Sequence, residues 1–204
     1  MSLKQLCVLF VLACTSSIPG VTSAADLSVG GHIRMDGACS ITLGNGGIFD
    51  FGNVSLAEID QDRYSNFRDV PLTINCPSQT RIGVKAIDNR KGSAAASRGF
   101  GVGNPAIGGY GFDVERYIGE ADGRKVYVIH RGGGDGDFWY RTDDPTWGPF
   151  ETISWTDGAP GPVAFRTMTT TFGVGVSLHD IKENMAHADV LEIDGSATLE
   201  LVYF

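Results

Sequence analysis

The stretch that decides the fold is Val190-Leu191-Glu192-Ile193-Asp194-Gly195-Ser196-Ala197-Thr198-Leu199-Glu200-Leu201-Val202-Tyr203-Phe204. Apolar or small residues occupy the odd positions from Leu191 to Tyr203. Glu192, Asp194, Ser196, Thr198 and Glu200 occupy the even ones. Successive side chains of a strand point to opposite faces, so this alternation predicts one uninterrupted strand, packed on one side and wet on the other. A strand running to the last residue is uncommon, because termini usually fray.

Working outward from that end, the rest of the chain predicts an all-β fold. A half-buried strand is expected over Leu27–Met35, where Leu27, Val29, Gly31, Ile33 and Met35 alternate with polar residues. Val70–Cys76 reads as a second strand. Further runs lie at Arg81–Asp88, Gly109–Arg116, Lys125–His130, Phe138–Arg141, Thr152–Trp155 and Val163–Leu178. Valine, threonine and aromatic residues dominate them, and Gly, Asp, Asn and Pro punctuate them. Gly92–Asn104 reads as a mobile small-residue loop, and Leu178–Met185 as the one helical turn. Short strands at turn-bounded spacing favour a sandwich.

The first residues carry an export signal. Lys4 precedes an apolar run from Leu6 to Ala13, a Ser/Pro/Gly break and the small-residue end Thr22-Ser23-Ala24-Ala25. That is the layout of a cleavable signal peptide over 1–24, with cleavage after Ala24 or Ala25. The run is far shorter than the ~20 residues a spanning helix needs. Val11-Leu12-Ala13-Cys14 fits a lipobox poorly. About 180 residues remain over 25–204, the size of one domain. The chain has a net charge of −8, and losing Lys4 makes it about −9. So acidic a surface repels phosphate backbones and argues against nucleic acid. Cys7 and Cys14 leave with the leader, so Cys39 and Cys76 remain for one disulfide. His32, His130, His179 and His187 are scattered without ligand spacing, so no metal or cofactor is expected.

Three sets of residues together resemble the subunits of chaperone–usher pili. One is the ending Ala197-Thr198-Leu199-Glu200-Leu201-Val202-Tyr203-Phe204. Another is Gly31-His32-Ile33 through Ala38-Cys39, followed by Leu72-Thr73-Ile74-Asn75-Cys76. The third, Asn45-Gly46-Gly47-Ile48-Phe49-Asp50-Phe51-Gly52 with Ile87-Asp88-Asn89-Arg90, Gly108-Gly109-Tyr110 and Asp194–Thr198, is similar to a fimbrial-type branch of unknown function. The resemblance implies an immunoglobulin-like, pilin-type β-sandwich lacking one strand, with Cys39 and Cys76 joining its first two strands. It implies a periplasmic chaperone, an outer-membrane usher and neighbouring pilus subunits as partners, and a path through the periplasm to a surface fimbrium. The strand-exchange edge would comprise Ala197, Leu199, Leu201, Tyr203 and Phe204. The chain departs from the pattern in one respect: only Ala25 to about Gly30 precede the first expected strand, leaving little to donate.

Two other classes of function compete with that reading. Trp139, Tyr140, Asp143, Asp144, Trp147, Glu151 and Trp155 fall close together. Aromatic faces beside carboxylates suit a glycan, which suggests a secreted carbohydrate-binding module. Tryptophans anchoring the core are the plainer account of the same residues. A glycoside hydrolase would need paired carboxylates about 5 Å apart on one face. Glu192-Ile193-Asp194 resembles such a motif, but Ser196 stands where the partner acid belongs. No G-x-S-x-G, H-E-x-x-H or phosphate-binding loop is present, so no catalytic residue is assigned. Asp135 and Asp137 sit in a glycine-rich turn that lacks calcium-loop spacing.

Overall fold

A computed structural model of the chain describes residues 37–52, 64–114, 118–132, 138–141, 146–185 and 190–204. The signal peptide, the strand expected over Leu27–Met35, Asp135, Asp137, Asp143, Asp144 and His187 lie outside the described residues. Asp36–Phe204 form one compact unit.

The fold is an all-β sandwich. Its strands are β1 (Ser40–Leu43), β2 (Tyr64–Thr80), β3 (Ile82–Asp88), β4 (Gly108–Asp113), β5 (Ile118–Ala121), β6 (Arg124–Arg131), β7 (Thr146–Trp147), β8 (Thr152–Thr156), β9 (Phe165–Leu178) and β10 (Ala197–Tyr203). One short helix, α1 (Ile181–Met185), falls inside the expected helical turn. The strands are antiparallel and follow the order β1-β2-β9-β5-β6-β8-β3-β10, with β4 pairing β9 and β7. β2 and β9 form the longest ladder, from Tyr64 opposite Leu178 to Asn75 opposite Thr167. Asp122 locks the far end of β9 to the β5–β6 turn, its carboxylate accepting hydrogen bonds from the backbone N–H groups of Arg166 and Thr167.

Alternation puts Val70, Leu72 and Ile74 of β2, Ile82, Val84 and Ala86 of β3, and Met168, Phe172 and Val174 of β9 into one core. Trp147 and Trp155, both fully buried, fill its centre. A smaller cluster of Val102, Ile107, Val176, Leu178 and Ile181 extends the core towards α1. Cys39 and Cys76 are joined with Cα atoms 4.1 Å apart, at the start of the β1–β2 ladder.

Several expected boundaries shift. The last strand covers only Ala197–Tyr203, not the whole of Val190–Phe204. Its partner β3 ends at Asp88, opposite Ala197, so the earlier residues have no ladder to join. They turn to the Asn89–Ile107 loop instead, where Asp194 N–H donates to Val102 O at 3.0 Å. At Gly195 a side chain would strike the Tyr110 ring, 2.7 Å from a Cβ. Phe138–Arg141 is not a strand but a single bridge between Tyr140 and His130. The loop after β3 is tied down: Asp88 accepts hydrogen bonds from Arg90 N and Gly101 N, and Ser93 Oγ donates to Arg90 O and accepts from Gly103 N.

Candidate functional site

Among the described residues both ends of the strand order are single-sided edges: β1 hydrogen-bonds only β2, and β10 only β3. An edge strand leaves one row of backbone N–H and C=O groups without a ladder partner. These two edges come back to face each other, with a groove of about 1000 Å³ between them. Leu43 from β1 and the following turn, with Ile48, Phe49 and Phe51, form one lip. Leu191, Ile193, Ala197 and Leu199 form the other. Phe112, Phe172, Val174, Val176 and Leu178 make an apolar floor.

Burial along the lips differs from burial one strand further in. On β3, Ile82, Val84 and Ala86 are 0 % exposed. Their cross-strand neighbours on β10, Leu199 and Leu201, face the same core yet stay only half-buried, as do Ile41 and Leu43 on β1. Residues directly opposite on one face share a side of the sheet. The difference therefore reflects the position of these residues on the edge strands of the described sheet and not a wet face. Tyr110 borders the floor with its hydroxyl buried and without a hydrogen-bond partner. Burial above all, with the Asp88 charge second, pushes that phenol up from its ordinary range.

One end of the groove is closed. Its lining stops at Leu43 and Leu199. Beyond them the lips converge until the backbone N–H of Cys39 donates to the Tyr203 hydroxyl at 2.8 Å. This hydrogen bond, beside the Cys39–Cys76 disulfide, ties the first described strand to the last across 164 residues. The other end opens past Ile48 and Val190, which are 69 % and 72 % exposed. β1 runs from the closed end to the open one and β10 runs back. A strand laid between them would be parallel to one lip and antiparallel to the other.

The five edge residues read from the sequence thus lie together, with differences in detail. Ala197, Leu199 and Leu201 face the core. Tyr203 shares their face but remains 45 % exposed, because its ring reaches across the groove end instead of entering the core. Phe204 turns to the outer face, edge-on to Trp139 at 5.1 Å, with the Arg131 guanidinium 4.7 Å above its ring.

Of the residues read as a glycan site, Asp143 and Asp144 lie outside the described residues, and the two tryptophans nearest them in the described chain after that gap point inward. Trp147 and Trp155 are core residues with no exposed face, so they cannot contact a surface sugar. Trp147 donates its indole N–H to Glu151 O and packs on Phe112 and Phe172. Tyr140 stacks on buried His130. Trp139 is only partly buried and lies beside Arg131 and Phe204. Glu151 serves the interior: it pairs with Arg98 at 3.0 Å and with His130 at 3.5 Å. Burial alone would raise its carboxyl, yet the hydrogen bonds from His130 and Gly148 and the charges of His130 and Arg98 outweigh that and hold it below the usual range.

Residues 27–109 match a family model described as a protein of unknown function (DUF1120). That span runs from the expected first strand through both cysteines and β3 to the start of β4. No curated protein and no solved structure matches the chain. Sequence reasoning missed the groove floor and the Tyr203–Cys39 contact. The pattern of β9 held part of the signal, since Phe172, Val174 and Val176 keep one face apolar beyond what β10 covers.

Proposed function

We propose that this protein is an exported fimbrial-type subunit whose sandwich is completed by a strand from another chain. The observation that carries the reading is the half-burial of Leu43 and Leu199 beside an apolar groove flanked by two edges that no other described strand pairs. Such a groove offers an extended segment two rows of backbone groups and a core to receive alternate side chains, the chemistry of β-strand addition. The Cys39–Cys76 disulfide suits an oxidising compartment. Among the described residues no helix is long and apolar enough to cross a membrane. The resemblance to chaperone–usher subunits supplies the partners: a periplasmic chaperone fills the groove first, the outer-membrane usher receives the complex, and a neighbouring subunit replaces the chaperone strand.

Co-expression with a pilus-type periplasmic chaperone tests this. Wild-type protein is expected to copurify with the chaperone one to one and to accumulate severalfold above its level alone. Leu199→Asp puts a charge on the groove lip and should abolish copurification. Glu200→Gln, on the opposite face of β10, should leave it intact. A chain that accumulates equally well alone, as a soluble monomer that never copurifies, contradicts the proposal.

A further inference from the structure

The charge around the groove says which kind of strand it takes. Among the described residues the lining contains Asp50, Glu192 and Asp194 and no Lys or Arg. Asp194 is engaged by Arg90. Among the described residues no ion pair joins Asp50 or Glu192. On the Asp50 side the Arg68 guanidinium lies over the Phe51 ring at 5.9 Å. The outward-facing residues of the two lips add one acid, Glu200, and no cation. Ser40 and Thr42 flank β1, while Thr198 and Glu200 flank β10, with Lys85 opposite Glu200 on the next strand.

A strand lying in the groove sends alternate side chains down onto the floor and the intervening ones out between the lips. Those outward side chains stand about 5 Å from their cross-strand neighbours, where opposite charges attract and like charges repel. The floor therefore selects apolar residues at every second position, and the rim selects cations at the positions between.

Resting on the strand-acceptor reading above, we propose that the occupant is a strand of a different protein, apolar at alternate positions and basic between them. A second copy of this chain fits less well. Its own alternating segment carries Asp26, Ser28, Gly30, His32, Arg34 and Asp36 at the intervening positions, two acids against one arginine. Two copies of a chain with net charge −8 also repel each other.

Synthetic peptides of about ten residues, enough to run the groove at ~3.3 Å per residue, test the choice against the full mature protein. One carries Val, Leu and Ile at alternate positions with Lys between, and another the same apolar residues with Glu between. A third is a scramble of the Lys peptide that breaks the alternation, and a fourth is the segment Asp26–Met35. At low salt the Lys peptide should bind about tenfold or more tighter than the Glu peptide and the Asp26–Met35 segment. The scramble should not bind, and the preference should shrink severalfold in high salt as the charges are screened. Asp50→Asn with Glu192→Gln should remove most of the preference while the Glu peptide gains. Equal binding of the Lys and Glu peptides overturns the charge inference and leaves the strand-acceptor reading standing. Equal binding of the Lys peptide and its scramble also overturns it, because net charge alone would then explain the affinity. If no alternating peptide binds, both readings fall together.

Discussion

Removing Val202, Tyr203 and Phe204 is expected to lower the stability of the mature domain by about 3 kcal/mol and to abolish capture by a chaperone. The deletion takes away the pairs Val202–Gly83 and Tyr203–Ile82 and the hydrogen bond from Phe204 N–H to Arg81 O. It also takes away the Tyr203–Cys39 contact that closes the groove. Each backbone or hydroxyl hydrogen bond contributes roughly 1 kcal/mol net. Ile82, now 0 % exposed, would be uncovered at the sheet edge, and Phe204 would leave Arg131 and Trp139. Tyr203→Phe is the finer variant. It loses only the hydroxyl acceptor, so it should cost about 1 kcal/mol and loosen the closed end without unfolding the strand. Urea midpoints for the three proteins, read beside a chaperone pull-down, check the series. A truncated chain as stable and as abundant as the full one would show that the end of β10 holds neither the fold nor the groove.

Replacing Cys39 and Cys76 together by serine is expected to cost about 4 kcal/mol. The bridge closes a loop with a sequence separation of 37, and on the chain-entropy account a loop of that size restrains the unfolded chain by that amount. β1 is only four residues long and pairs with one neighbour, so little else holds it. The loss should therefore fall first on the β1 lip. Thermal unfolding of wild-type and double-serine protein measures the total, and dithiothreitol on the wild type should reproduce it. A double-serine protein melting within a few degrees of wild type would show that β1 is held by its packing alone.

Much of this architecture can be read from residue order, for reasons visible in particular segments. The strands near Ile82, Arg124, Thr152 and Phe165 sit where β-branched and aromatic runs stand between turn residues. The disulfide follows from the two cysteines that remain once the expected signal peptide is set aside. The over-long last strand shows where the reasoning meets its limit. Leu191 and Ile193 do alternate with exposed acids, and they do pack inward, on Val176, Leu178 and Ile181. Period-two burial needs only a core on one side, however, while a strand also needs a ladder, and β3 stops at Asp88. The first part of β2, Tyr64–Asp69, was missed because its polar residues mask its pairing. There Phe67 lies flat over Gly173 and Gly175 on the outer face, where any Cβ would collide with its ring. Two of the tryptophans follow the plainer of the two accounts. Closeness in sequence placed them with acids, but Trp147 and Trp155 belong to strands whose inner faces fill the core. The groove could not be read at all, since its lips come from opposite ends of the chain and only the folded sheet brings them together.

Amide hydrogen exchange on the two lips, with and without an alternating apolar peptide, tests the central claim most directly. If the groove accepts a strand, slow exchange should appear together in Ser40–Leu43 and in Ala197–Leu201 when peptide is added, while the already paired amides of β9 change little. Protection confined to a single lip, or none on either, would contradict a strand seated between β1 and β10.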